Sequence, residues 1–296
     1  MGIGNHLKKA KDNVDDEYYT KYEDIESEIS NYTDFLKGKV VYCNCDDYRI
    51  SNFVKYFKNE FETLKLKKLI STNYDIGDGA YQYEYDGHTE NVTEIENGSF
   101  DSENNLRILR EDADIVITNP PFSLYTKYLP VLITSGKYYL IIGGLYSVAY
   151  HSIFPYYYNK QLGFSYNKSK TGSRSGNRLK FYKQDGTEKF ICSFWFTNIS
   201  DYEPQFITPT KEYVEGDYKR FDNAPHIIEI GSKKNIPYGY DGEMAIPLST
   251  LPFINRNQYE IIGQLGGAGI TEYNRYGNPV IDGKIKFHRI IIKEKQ

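Results

Sequence analysis

Short blocks of apolar residues alternate with polar segments, and this alternation predicts strands followed by helices. Residues 40–47 predict a first buried strand that runs into an acidic turn, and residues 67–73 predict a second strand. Between them, Ser51 is a suitable N-cap for a helix. Large apolar side chains at helical spacing indicate that helix: Phe53, Tyr56, Phe57, Phe61 and Leu64. Together these elements predict a βαβ unit.

The next buried strand ends abruptly. The apolar residues 115–117 run almost directly into the sequence Asn-Pro-Pro-Phe at 119–122. Ser123 is expected to cap the helix that follows, and residues 138–144 predict another buried strand. Because buried strands alternate with helices, we predict an α/β fold with a mostly parallel, doubly wound sheet.

The second half of the chain is less regular. Residues 191–198 predict a strand on the far side of the same sheet, and residues 285–292 predict a terminal strand. The glycine-rich stretch 263–269 lacks the spacing of a phosphate-binding loop, so a hairpin loop is expected there. We therefore predict two regions, with the α/β core at 1–150 and the remaining sheet strands plus a β-rich elaboration at 151–296.

The overall charge gives no sign of a nucleic-acid partner. The formal net charge is -4 and the sequence pI is about 5.8, so any nucleic-acid surface must be local. The chain has 30 tyrosines and 16 phenylalanines but one tryptophan, and a single tyrosine therefore carries little information. A length of 296 residues is sufficient for a sizeable buried core.

The cysteines indicate a reducing compartment. There are three, Cys43, Cys45 and Cys192, an odd number without a second Cys or His pair at zinc-binding spacing. We expect free thiols and no metal. The sequence has neither an apolar run of membrane-spanning length nor a signal-peptide core, so a soluble cytoplasmic protein without membrane partners is expected.

The sequence at 119–122 has the chemistry of an amine-binding site. Its two prolines fix φ, remove two backbone donors and hold Asn119 in an extended conformation. The Asn119 side-chain oxygen and the Pro120 carbonyl can then each accept one hydrogen of an exocyclic amine, which frees the lone pair of the nitrogen. Phe122 would stack on the ring that bears the amine. A rigid turn without chemistry is the alternative, and the preceding strand and following helix favour the site.

The most basic stretch of the chain lies at 163–183, where aromatic and small polar residues are interleaved with cations. Such a segment can follow the phosphates of a nucleic acid and become ordered on binding. A solvated loop is the alternative. We expect DNA contacts from Lys168, Lys170, Arg174, Arg178 and Lys180.

Several separated segments resemble the EcoRI-type family of adenine-specific DNA methyltransferases, in one order along most of the chain. They are residues 17–25, 40–47 with 51–53, 67–70, 98–101 (Gly-Ser-Phe-Asp), 114–123 and 195–198 (Trp-Phe-Thr-Asn), with a weaker match at 286–290. The Asn-Pro-Pro-Phe sequence is also similar to the signature of amino-methyltransferases in general.

The resemblance implies a Rossmann-like methyltransferase fold, S-adenosylmethionine as methyl donor and the N6 amine of adenine in double-stranded DNA as acceptor. It also implies a role in restriction-modification, in which a cognate restriction endonuclease acts on the same site without a stable complex. By position, the catalytic residues are Asn119, Pro120, Pro121 and Phe122. The candidates for the cofactor pocket are Tyr19, Thr20, Cys43, Asn44, Asp46, Phe53 and Asp101.

Two departures from the family pattern bear on the cofactor. The usual glycine-rich loop is missing, and residues 44–47 take its place, which suits S-adenosylmethionine better than a pyrophosphate ligand. Ser99 stands where an acid is expected, which leaves the contact to the adenine of the cofactor open.

Three alternatives remain at this point. Methyltransferases of RNA adenine and of protein glutamine use the same four-residue motif. A non-catalytic DNA-binding or antirestriction protein could keep the fold without the chemistry.

If duplex DNA is the substrate, the adenine must be flipped out of the helix, because a stacked base cannot bring N6 to the methyl donor.

Overall fold

The structure is a computed structural model that describes residues 19–75, 77, 79–166, 179–182, 186–199, 206–267 and 269–295, apart from the side chains of residues 180, 189 and 190. The chain forms two compact units. One takes the described residues within 1–144 and 163–201, and the other takes those within 145–162 and 202–296. The units therefore interleave in sequence.

An eight-stranded sheet forms the centre of the first unit, counted over the described residues. Its strands are β2 (Val40–Cys43), β3 (Lys68–Thr72), β4 (Ala80–Tyr85), β5 (Glu90–Ile95), β6 (Ile115–Thr118), β7 (Tyr138–Gly144), β8 (Gly163–Phe164) and β11 (Ser193–Thr197). The order is β5-β4-β3-β2-β6-β7-β11-β8. Strands β3, β2, β6 and β7 are mutually parallel, and both flanks are antiparallel. The predicted parallel character is thus confined to the four central strands.

The helices of this unit are α1 (Tyr22–Ile29), α2 (Thr33–Leu36), α3 (Asn52–Asn59), α4 (Phe61–Leu64), α5 (Glu103–Arg107) and α6 (Tyr125–Thr134). The predicted N-cap of α3 is confirmed, because the Ser51 hydroxyl accepts a hydrogen bond from the Phe53 amide at 3.0 Å. The apolar side chains expected between 53 and 64 are all buried. They lie on two helices instead of one, since the backbone leaves helical geometry at Glu60.

The predicted cap at Ser123 is wrong. Phe122–Leu124 form a single 3₁₀ turn, and α6 begins at Tyr125 without a side-chain cap. The Leu124 amide donates to the Pro121 carbonyl at 3.0 Å, which closes the turn and moves the helix start from the expected Leu124 to Tyr125. The start of α6 is fixed by packing instead, because the buried Tyr125 side chain lies directly against the backbone of Gly143 on β7.

A second, small sheet belongs to the same unit. Its strands are β1 (Tyr19–Thr20), β9 (Leu179–Tyr182) and β10 (Glu188–Ile191), in the order β1-β9-β10, and all pairs are antiparallel. Thr20 is the register partner of Phe181, and Tyr19 is the partner of Tyr182. This pairing brings the start of the described chain against the end of the basic stretch.

The second unit is rich in β-structure, as expected for the C-terminal part of the chain. It holds a five-stranded sheet in the order β13-β14-β16-β20-β17, counted over the described residues. The strands are β13 (Arg220–Phe221), β14 (Ala224–Glu229), β16 (Glu243–Pro247), β17 (Tyr259–Leu265) and β20 (Arg289–Glu294). Short strands β12 (Lys211–Glu212), β15 (Pro237–Tyr238), β18 (Val280–Ile281) and β19 (Lys284–Ile285) and helix α7 (Phe154–Tyr158) complete the unit.

Two predictions for this region are tested by the sheet. The hairpin loop predicted at 263–269 is wrong, because residues 263–265 belong to β17, which pairs with β20 and not with β18, the next strand along the chain. The terminal strand is confirmed as β20, but it begins at Arg289 because the predicted start at 285 belongs to β19 and residues 286–288 lie in neither strand. No helix in the described part of the chain is long and apolar enough to cross a membrane.

Candidate active site

The Asn-Pro-Pro-Phe sequence lies at the carboxyl end of β6, between the parallel strands β2 and β7. All four residues of β6 are buried, Pro120 is buried, and Asn119 and Phe122 are half-buried. Ligands of open α/β sheets bind at the carboxyl ends of parallel strands. The predicted position of the motif at this edge is therefore confirmed.

The two proline carbonyls of the motif differ in their hydrogen bonding. The Pro121 carbonyl accepts from the Leu124 amide at 3.0 Å, within the 3₁₀ turn. The Pro120 carbonyl accepts no hydrogen bond from any described residue. Because a buried acceptor without a donor is unfavourable, the Pro120 carbonyl is the motif's backbone group that a ligand can satisfy.

Asp46 ties three strand ends and a helix start together. Its amide donates to the Thr72 carbonyl at 3.0 Å. Oδ1 accepts from the Ser51 hydroxyl at 2.6 Å, and Oδ2 accepts from the Thr118 hydroxyl at 2.5 Å. The Asp46 amide thus joins the end of β2 to β3, and its carboxylate joins it to the start of α3 and to the last residue of β6, immediately before Asn119.

The environment of Asp46 makes its charge costly. The side chain is 8% exposed, and burial raises its pKa from an ordinary value of 3.8 to about 6, against the opposing effect of the Ser51 and Thr118 hydrogen bonds. The neighbouring Asp47 adds to the increase. Since both oxygens of Asp46 are engaged inside the protein, this residue contributes to the site by holding Thr118 and Ser51.

Tyr128 connects the end of β2 to the loop at 98–101. Its hydroxyl donates to Oδ1 of Asn44 at 2.7 Å, and its ring meets the Phe100 ring edge-on with the centroids 5.1 Å apart. Tyr128 lies in the first turn of α6, which begins at Tyr125. Sequence reasoning did not find this residue, because a single tyrosine among 30 gives no signal.

In the loop at 98–101, a serine hydroxyl orients the carboxylate of Asp101. A Cβ atom at Gly98 would lie 2.7 Å from the carbonyl carbon of Asn73, so the loop passes directly over the end of β3. The buried Asn105 amide donates to the Gly98 carbonyl at 3.0 Å and to the Ser99 carbonyl at 2.8 Å. The Ser99 hydroxyl, in the place of the expected acid, donates to the exposed carboxylate of Asp101.

The Thr20 hydroxyl is a candidate contact for a polar ligand atom. Its hydroxyl oxygen is buried and has no hydrogen-bond partner among the described residues. Its backbone carbonyl accepts from the Asn52 side chain at 2.8 Å, which sets β1 against the start of α3. Tyr19, next to it on β1, packs its ring against Tyr182. A polar cofactor group in contact with Thr20 would satisfy a hydroxyl that the protein leaves without a partner.

Phe122 touches the small sheet. Its ring meets the buried Phe181 ring edge-on, with the centroids 6.1 Å apart and an interplanar angle of 88°. Phe181 is the strand partner of Thr20. The small sheet therefore connects the ring of Phe122, in the Asn-Pro-Pro-Phe motif, to Thr20, the residue of the expected cofactor pocket that has an unsatisfied hydroxyl.

The remaining predicted residues divide into two groups. Cys43 is completely buried, and the buried Phe53 packs edge-on against Trp195 at 5.9 Å, so both contribute to the core beneath the site. The DNA-contact prediction falls mostly outside the described residues, where Lys168, Lys170, Arg174 and Arg178 lie. Lys180 lies on β9, where only its backbone is described.

Comparison with known proteins finds one family along nearly the whole chain. The model of the family described as adenine-specific methyltransferase EcoRI matches residues 6–295. Type II methyltransferase M.MgeORF184P of Mycoplasma genitalium is 33% identical, over 99% of this chain and 98% of that protein. M.MpnI of Mycoplasma pneumoniae is 34% identical, over 100% of this chain and 99% of that protein.

M.EcoRI of Escherichia coli, also a type II methyltransferase, is 34% identical, over 98% of this chain and 96% of that protein. No solved structure matches the chain. Both the family match and these relatives extend over nearly the full length, including the strand that carries the Asn-Pro-Pro-Phe sequence. The chain belongs to the EcoRI family of adenine-specific methyltransferases and is a DNA adenine methyltransferase.

Proposed function

We propose that the protein transfers a methyl group from S-adenosylmethionine to the N6 amine of an adenine flipped out of duplex DNA, at a specific sequence and within a restriction-modification system. The family assignment argues against RNA adenine, protein glutamine and a non-catalytic role. The observation that carries the proposal is the position of the Asn119 and Pro120 oxygens at the carboxyl end of the central parallel strand β6. They directly follow Thr118, whose hydroxyl is bonded to Asp46.

Several groups near this edge suit the methyl donor. When bound, S-adenosylmethionine supplies an electrophilic methyl group on a sulfonium, flanked by an ammonium, a carboxylate and a nucleoside. The unsatisfied Thr20 hydroxyl is a fitting partner for one of its polar groups. The exposed Asp101 carboxylate, oriented by Ser99, is suited to accept from an amine or a hydroxyl. Asn44 and Asp46 support this region through hydrogen bonds to Tyr128 and Thr118 inside the protein.

The protein's contribution to the reaction is orientation and polarisation of the acceptor. The Asn119 side-chain oxygen and the Pro120 carbonyl each accept one hydrogen of the N6 amine, which directs the nitrogen lone pair towards the donor. Phe122 holds the flipped base by stacking. Formation of the nitrogen–carbon bond would break the bond between that carbon and the sulfonium sulfur of the donor, and the amine would lose one proton to water. Proximity and alignment supply most of the rate, and the protein forms no covalent bond to the base.

Binding of duplex DNA would use local positive charge, since the chain as a whole is acidic. The basic residues between 168 and 180 remain the proposed phosphate contacts, and the last of them, Lys180, lies on β9. Phosphate contacts position a protein on DNA without specifying sequence. We therefore assign target recognition to other groups, within the β-rich second unit.

A direct test is to express the chain in a host without adenine methylation and to sequence its DNA for N6-methyladenine. We expect methylation at one sequence motif with the wild-type protein and none with the Asn119→Ala variant. Methylation of cytosine only, or unchanged adenine methylation in the variant, would contradict the proposal.

A further inference from the structure

The side-chain amide of Asn52 joins three elements at one point. Its Nδ2 donates to the Thr20 carbonyl on β1 at 2.8 Å and to the Tyr182 hydroxyl on β9 at 2.9 Å. Asn52 is the first residue of α3 and directly follows the Ser51 cap. Both hydrogens of one amide therefore hold a pair of strands on the start of a helix.

Strand β9 presents adjacent side chains to different parts of the site. Phe181 is buried against the ring of Phe122, which belongs to the catalytic motif. Tyr182, the next residue, bonds to Asn52 and packs its ring against Tyr19, with the centroids 5.6 Å apart. Successive side chains of a strand point to opposite faces, so β9 spans the space between the motif and the start of α3.

An open cleft lies on the Asn52 side of this arrangement. Its volume is about 350 Å³, and its lining includes Lys21, Asn52, Tyr182 and Glu188. Lys21 and Glu188 form an ion pair that ties the residue after β1 to β10. This pair is partly exposed and contributes little to stability by itself. The Asn52 amide connects the small sheet directly to the start of α3 through two hydrogen bonds.

We propose that Asn52 and Tyr182 are positioning residues for the methyl donor, which hold Thr20 and Phe181 at the distance from the catalytic motif that donor binding requires. This proposal rests on the function proposed above, and in particular on Thr20 as a cofactor contact. Neither residue needs to touch the donor. Their effect is transmitted through the carbonyl of Thr20 and through the shared strand β9.

The chemistry of the amide explains why asparagine is suited to this position. An asparagine side chain offers two N–H donors, and both are used here by acceptors on different strands. Aspartate has the same shape without a donor and would place a carboxylate against the Thr20 carbonyl. Aspartate is also favourable in the first turn of a helix, so Asn52→Asp should not weaken α3.

The experiment measures donor binding by calorimetry and steady-state methyl transfer for the full chain and its variants. We expect Asn52→Asp and Asn52→Ala to raise both the Kd and the KM for S-adenosylmethionine by about tenfold, the change expected for loss of a hydrogen bond. At saturating donor, kcat should remain within about threefold of wild type. Tyr182→Phe keeps the ring contact with Tyr19 and should raise the Kd by a smaller factor.

The double variant Asn52→Ala with Tyr182→Phe distinguishes a shared connection from two separate effects. Because the Tyr182 hydroxyl acts only through Asn52, the double variant should bind the donor as weakly as Asn52→Ala alone. Asn59→Ala is the matched control, since Asn59 ends the same helix and its amide reaches the Tyr22 hydroxyl at 3.4 Å, on the surface. The control should leave the Kd unchanged.

Unchanged Kd in Asn52→Asp and Asn52→Ala, with an active wild-type enzyme, would overturn the positioning role and leave the proposed function intact. A lower melting temperature with unchanged Kd would have the same meaning, since it would show a structural contact alone. Failure of the wild-type protein itself to bind S-adenosylmethionine would instead contradict the proposed function, and the positioning role with it.

Discussion

The Thr118 hydroxyl donates a hydrogen bond of 2.5 Å to Oδ2 of Asp46, and the two residues are 72 positions apart in sequence. Thr118 ends β6 and is followed directly by Asn119, whereas Asp46 follows β2 and also accepts from Ser51 at the cap of α3. The bond therefore connects the Asn-Pro-Pro-Phe motif to the strand and helix expected to hold the methyl donor. Under the proposed function, we expect it to help set the relative position of the donor and the acceptor.

Loss of the Thr118 hydroxyl should weaken this connection. Thr118→Val keeps the shape of the side chain but leaves a buried carboxylate oxygen without a donor, which costs about 1–3 kcal/mol. We expect a fall of about 5 °C in melting temperature and a lower kcat. Thr118→Ser retains the hydroxyl and is the matched control, with both quantities close to wild type. Equal behaviour of the valine and serine variants would show that the bond is unimportant.

The charge of Asp46 predicts a specific pH dependence. Because burial raises its pKa to about 6, the folded protein takes up a proton on this group before the unfolded chain does as the pH falls. Stability from Asp46 is therefore highest below about pH 4 and is lost as the pH rises to about 6. The difference between 3.8 and 6 corresponds to about 3 kcal/mol at most.

Asp46→Asn removes that titration while keeping the shape. One of the Ser51 and Thr118 hydroxyls can reverse to accept from the amide NH2 group, and the other can still donate to the amide oxygen. The melting temperature of the variant minus that of wild type should be positive at pH 8 and approach zero near pH 4. A difference that does not change with pH would refute the assignment. The Kd for S-adenosylmethionine should change by less than about threefold, because the carboxylate acts inside the protein.

Gly98 should tolerate no side chain. A Cβ atom at this position overlaps the backbone of Asn73, which cannot move without disturbing β3. We expect Gly98→Ala to displace Ser99 and Asp101 and to weaken S-adenosylmethionine binding by at least about tenfold, together with a lower melting temperature. Gly231→Ala is the control, because a Cβ atom there has no neighbour within 4 Å. Calorimetry and thermal unfolding of the two variants measure both effects.

Phe122 is expected to act through its ring face. Base stacking on an aromatic side chain contributes about 1–3 kcal/mol, so Phe122→Ala should lower kcat/KM for DNA by about 10- to 100-fold. Phe122→Tyr and Phe122→Trp keep a stacking surface and should retain most of the activity. Steady-state kinetics with duplex DNA distinguish these outcomes, and an alanine variant as active as the tyrosine variant would argue against stacking.

Much of the sheet could be predicted from local pattern. Strands β2, β3, β6 and β7 are short apolar runs bounded by polar turns, and parallel strands buried on both faces require that composition. The motif at the end of β6 and the Ser51 cap follow from the same local signals. The predicted helix cap at Ser123 was wrong, because the Pro121 carbonyl accepts a hydrogen bond that stabilises a 3₁₀ turn before the helix begins.

The connections that complete the site depend on long-range contacts that no local pattern encodes. β1 has two residues and gains its structure by pairing with β9, more than 150 positions later. The residues that make these contacts are of types common in helices and strands, so their identity gives no signal. They are Asn52, Thr118, Tyr128 and Phe181. Asp46 is one of two adjacent acids in a turn, and nothing in the local sequence distinguishes it. It is buried because Ser51 and Thr118, from two other elements, donate hydrogen bonds to its carboxylate.

The central claim is that the oxygens of Asn119 and Pro120 orient an adenine amine for methyl transfer. Single-turnover methyl transfer with duplex DNA, combined with donor binding, tests it most directly in Asn119→Ala and Asn119→Asp. We predict that Asn119→Ala lowers the rate by at least about 100-fold with the Kd for S-adenosylmethionine within about threefold of wild type. Asn119→Asp, which keeps an acceptor oxygen, should retain measurable transfer. A wild-type rate in Asn119→Ala would contradict the account.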